Sequence, residues 1–66
     1  MNTKNLQKMN PSQWDKFLLK VGDLEEADMH LTTEERKEVV AEFVRRNPGT
    51  KLTGDLDNDF VDLVLC

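Results

Sequence analysis

The chain has 66 residues, with 9 Lys and Arg against 13 Asp and Glu and a net charge of −4. It is too short for two domains, a doubly wound α/β sheet or a barrel. One Cys and one His make neither an internal disulfide nor a structural zinc site. The acidic balance argues against a general nucleic-acid binder, which needs cationic groups to release counterions from phosphates.

Residues 1–9 are polar and lack the apolar stretch of a secretory signal. Leu6 and Met9 are their only internal apolar residues. A flexible N-terminal tail over 1–9 is expected, and a single helical domain over 10–66. If the tail docks, it does so as one turn through Leu6 and Met9.

Asn10 is a good N-cap, and Pro11 suits the first helical position, where its missing N–H costs nothing. Trp14, Phe17, Leu18 and Val21 then recur at i, i+3, i+4 and i+7, which is one face of an α-helix. Gly22 is expected to stop this helix. A short second piece follows to about residue 29 or 30, capped by Asp23 with Glu26 three residues later. Leu24, Ala27 and Leu31 continue its apolar face.

Thr32 and Glu35 form a capping box, and Glu34 and Glu35 sit where the helix dipole favours anions. The inner face of that helix is Val39 or Val40 with Phe43 and Val44. Arg45 and Arg46 occupy its last turn, and Asn47-Pro48-Gly49 ends it. Residues 50–54 read as a loop anchored by Leu52. In the last element, residues 55–66, Asp55, Asp57 and Asp59 crowd the start. Leu56, Phe60, Leu63 and Val64 make one face, and Val61 and Leu65 a second. Phe60 and Val61 are adjacent apolars, as are Leu63, Val64 and Leu65. A β-strand is the rival reading, since Phe, Val and Leu dominate Phe60 to Leu65, but strand alternation fails and a helix is favoured. The fold class that results is all-α: a small bundle of three main helices plus one short helix or turn.

Little in the sequence points to catalysis. Asp55-Leu56-Asp57-Asn58-Asp59 resembles the opening of a calcium loop, but Phe60 stands where that loop needs Gly and Cys66 where it needs a bidentate Glu. His30 lies at a helix junction, and Ser12 is an early helical residue. Cys66 is the last residue, where it reads as a terminal thiol. No Gly-rich loop cradles a phosphate. A non-enzyme is expected, without cofactor or metal site. No apolar run approaches the ~20 residues that span a membrane, so a cytoplasmic protein is expected.

Charge is segregated along the chain. Residues 1–20 carry +3, residues 21–35 −6, residues 36–53 +3 and residues 54–66 −4. One acidic patch is expected around Glu25 and Glu26, and another along Asp55, Asp57, Asp59 and Asp62. Val61 and Leu65 widen the apolar stripe of the last helix beyond what a three-helix core needs. A partner, a second copy or the N-terminal tail must cover it. These residues point to a small acidic interaction module, an adaptor or inhibitor of a larger protein, which acts as nucleic-acid mimics do if that protein handles nucleic acid. The alternative is a dimeric helical regulator that pairs through its last helix and contacts nucleic acid near Arg45 and Arg46. The Asp-rich last helix, which phosphates would repel, disfavours that second reading.

Overall fold

Asn10 opens the first helix as its position predicts. Its side chain accepts from the Gln13 backbone N–H at 2.8 Å, and the Gln13 side chain accepts from the Asn10 N–H at 3.0 Å. Pro11 follows as the first helical residue. In the computed structural model, which describes residues 5–65, helix α1 then runs over Pro11–Glu26. Residues 1–4 of the expected tail, and Cys66, lie outside the described residues.

Gly22 does not stop α1, and the separate piece expected from Asp23 onward is its last turn. A glycine ends a helix only where the chain needs a left-handed residue, and here that residue is Asp28, with φ 58°. The Met29 N–H bonds to the Leu24 carbonyl at 2.8 Å and the Asp28 N–H to the Glu25 carbonyl at 3.2 Å. This 6→1 and 5→2 pair is a Schellman motif. Gly22 stays helical although glycine costs ~1 kcal/mol relative to Ala in a helix interior. Val21, fully buried, and Leu24, packed on the core, hold the helix on both sides of it.

Helix α2, Thr33–Arg46, begins with the capping box read from the sequence, Thr32 with Glu35. Helix α3, Leu56–Phe60, is capped by Asp55, which accepts from the Asn58 N–H at 3.2 Å. It continues as one π-helical turn over Val61–Leu65, which packs against both α1 and α2. A 3-10 turn, Leu6–Lys8, packs on α2. There is no strand among the described residues. The fold is the all-α bundle of three helices, and its additional turn is this N-terminal one.

The core is Leu6, Trp14, Phe17, Val21, Leu31, Val39, Val40 and Phe60, with Leu18, Leu24, Phe43, Leu56, Leu63 and Val64 packed around it. Trp14 and Phe17 stack with their ring centroids 5.7 Å apart. Both Val39 and Val40 are buried. Leu52 is not the loop anchor, since it is 49% exposed. The buried Asp59 takes that part: its carboxylate accepts from the Thr53 N–H and hydroxyl, both at 2.9 Å.

Two arginines clamp the ends of α2. Arg36 lies 5.4 Å from the Phe60 ring centroid and bonds Asp57 at 2.7 Å. Arg46 lies 4.9 Å from the Trp14 ring centroid. It donates to the carbonyls of Leu6 at 2.9 Å and Met9 at 2.7 Å, and to Glu42 at 2.5 Å. Glu42, which is buried, also takes two bonds from Arg45.

Candidate functional site

The end of α1 faces the C-terminal turn across a groove of about 490 Å3. Leu18 and Leu19 line it from α1, and Val64 and Leu65 from the turn. Gly22, Asp23, Glu25, Glu26 and His30 line it as well, and Asp23 and Glu26 are exposed. Leu19, Asp23 and Glu26 share one face because they stand four and three residues apart on a helix. Leu19 is 72% exposed, the most of any large apolar residue among those described, and Leu65 is 37% exposed.

The groove gathers three of the residues expected to bind a partner: Leu65, Glu25 and Glu26. Val61 is 43% exposed but does not line the groove. The Leu6 turn packs on α2, so it leaves Val61 and Leu65 open. The Asp series is dispersed over other tasks. Asp55 caps α3, Asp57 pairs with Arg36, and Asp59 is buried against Thr53. Asp62 stays on the surface, where the Asn58 amide donates to it at 3.4 Å.

Glu25 is also partly withdrawn from the surface. Its side chain is 9% exposed and is bound by the His30 ring, with the Leu31 N–H at 3.5 Å and Arg36 at 3.6 Å. Burial opposes its charge, but those bonds and the nearby cations outweigh burial and hold its carboxyl below the usual carboxylate range. Asp23 and Glu26 are different: both are exposed, and neither carries an ion pair among the described residues. They also sit at the C-terminal end of α1, which has no basic residue in its last turn. Anions there oppose the helix dipole. A helix that ended at Gly22 would put them at the start of the next one, where they would be favourable.

A second hollow, about 640 Å3, lies beside Leu6 and α2. Of its four carboxylates, Glu34 lies 3.8 Å from Lys37, Glu38 is exposed and has no ion pair among the described residues, and the other two serve the fold. Glu42 holds two arginines, and Glu35 closes the capping box. The basic residues of the alternative reading are similarly engaged. The Arg46 side chain is 15% exposed and Arg45 is paired to Glu42. No group of three or more His, Cys, Asp or Glu among the described residues could hold a metal ion. No helix among them is long and apolar enough to cross a membrane.

The engaged carboxylates make stability pH-dependent. The two Arg45 bonds, followed by the one from Arg46, lower the Glu42 carboxyl against the cost of burial, and the Thr53 N–H does the same for Asp59. Groups lowered in the folded state bind protons more weakly there than in the unfolded chain. Their stabilisation is complete above the ordinary carboxylate range near ~4 and is lost as pH falls through their folded values. Urea midpoints are expected to hold between pH 7 and 5 and to fall steeply below about pH 4. A midpoint unchanged down to pH 3 would contradict the bonding assigned to Glu25, Glu42 and Asp59.

No family model, curated protein or solved structure matches the chain.

Proposed function

We propose that the chain is a small, non-catalytic protein-binding module, an adaptor or inhibitor, whose docking surface is the groove between α1 and the C-terminal turn. The observation that carries this reading is the conjunction on that groove of exposed Leu19 and Leu65 with exposed Asp23 and Glu26, neither of which has an ion pair among the described residues. Apolar patches rimmed by polar residues are where soluble proteins meet partners. Only part of the acidic surface takes part, because Asp55, Asp57, Asp59 and Glu25 serve the fold.

The test is capture from the native cell with three immobilised forms: the wild type, Leu19→Ser, and Val61→Asp as a change outside the groove. All three are expected to keep their helical circular dichroism, since Leu19 and Val61 are exposed. A partner held by the wild type and Val61→Asp but released by Leu19→Ser is the expected result. Equal retention by Leu19→Ser would remove the groove as the docking surface.

A further inference from the structure

Gly22, Leu19, Asp23 and Glu26 each work against the stability of this chain taken alone. Glycine in the middle of a 16-residue helix sacrifices helix propensity. A Cβ built on Gly22 meets nothing within 4 Å, so no contact inside the fold requires glycine there. Leu19 leaves 72% of its surface in water. Asp23 and Glu26 load the negative end of the α1 dipole. These residues lie in one groove. Local choices that conflict with the fold and cluster at one place are the mark of a functional surface.

We infer that the groove receives an amphipathic helix with basic flanks, which packs its apolar face on Leu18, Leu19, Val64 and Leu65 and rests closely against Gly22. This rests on the groove being the docking surface and names what occupies it. The apolar walls match the leucine-rich stripe of such a helix, laid into a groove. Its Lys or Arg residues neutralise Asp23 and Glu26 and complement the carbonyl end of α1. The bare backbone at Gly22 lets the incoming helix approach more closely than any side chain would allow.

The probe is a fluorescein-labelled synthetic helix with leucines at helical spacing between lysines, followed by anisotropy on the full chain. A second probe carries glutamates in place of the lysines. The lysine probe is expected to bind and the glutamate probe not to bind. Gly22→Gln is expected to raise the melting temperature yet weaken the lysine probe about tenfold. Asp23→Asn with Glu26→Gln is expected to weaken it and to flatten its salt dependence. Binding of the lysine probe unchanged by Gly22→Gln, or equal binding of both probes, overturns the inference. If Leu19→Ser still releases the probe in that case, the groove stands as the docking surface and only its occupant is wrong. If Leu19→Ser also has no effect, both readings fall.

Discussion

Phe60→Ala is expected to leave the chain largely unfolded without denaturant. Phe60 is 1% exposed and is the largest of the fully buried side chains. Truncating a buried Phe to Ala typically costs 3–5 kcal/mol, as lost transfer energy plus the cavity left behind. A chain of 66 residues has only about 3–10 kcal/mol in total at ordinary stability per residue. The change also removes the ring under Arg36, which leaves that guanidinium with Asp57 and Glu25 alone. Urea unfolding followed by far-ultraviolet circular dichroism should show a midpoint near zero for Phe60→Ala and a smaller loss for Phe60→Leu. A midpoint close to wild type would mean that the last helix contributes little to the core.

Arg46→Ala is the second large effect, at about 2–4 kcal/mol. The side chain holds four partners at once: Glu42, the carbonyls of Leu6 and Met9, and the face of Trp14. Removing it leaves the buried Glu42 dependent on Arg45, whose side chain is 53% exposed. A buried carboxylate that loses a cation costs more than the pair contributed when intact. Arg46→Lys separates charge from geometry. Lysine keeps the charge but has neither the planar face nor the fork of donors, so it is expected to recover less than half of the loss. Full recovery by lysine would show that charge alone matters at this position.

Much of the fold was legible from local signals. Asn10-Pro11 and the Thr32/Glu35 box fixed two helix starts. The i, i+3, i+4, i+7 spacing of Trp14, Phe17, Leu18 and Val21 identified a face that the structure packs on the core. The misreading at Gly22 has a definite cause. Glycine is the residue expected at a helix end, whereas the left-handed position fell to Asp28, which tolerates it less readily but still adopts it. That one displacement moved Asp23 and Glu26 from a favourable helix start to an unfavourable helix end, and so hid the conflict that marks the groove.

The groove itself was legible only in part. Leu65, Glu25 and Glu26 were singled out from the last helix and from the charge blocks, but their meeting with Leu19 depends on how the C-terminal turn lies against α1. No local pattern encodes that placement. Glu42 and Asp59 were likewise invisible as buried groups. Glu42 is held by Arg45 and Arg46, three and four residues on in the same helix, and Asp59 by Thr53, six residues back, but single-residue character gives no sign that either carboxylate is buried. The acidic run at Asp55, Asp57 and Asp59 looked like one patch, yet its members divide among a cap, an ion pair and a loop anchor.

The bonds from Arg46 to the Leu6 and Met9 carbonyls join residues 40 and 37 positions apart. The packing of α2 on α3 joins segments nearer in sequence, and the cost of closing a loop rises with its length. In the order of assembly that packing is therefore expected to precede the N-terminal clasp. The reverse holds for opening. Release of one guanidinium and one buried leucine frees residues 5–9 without disturbing Val21 or Phe60, so their amides exchange with solvent at a lower free energy than those of the helices. The clasp thus divides a very small protein into two units of unequal stability, with a single arginine as the boundary between them.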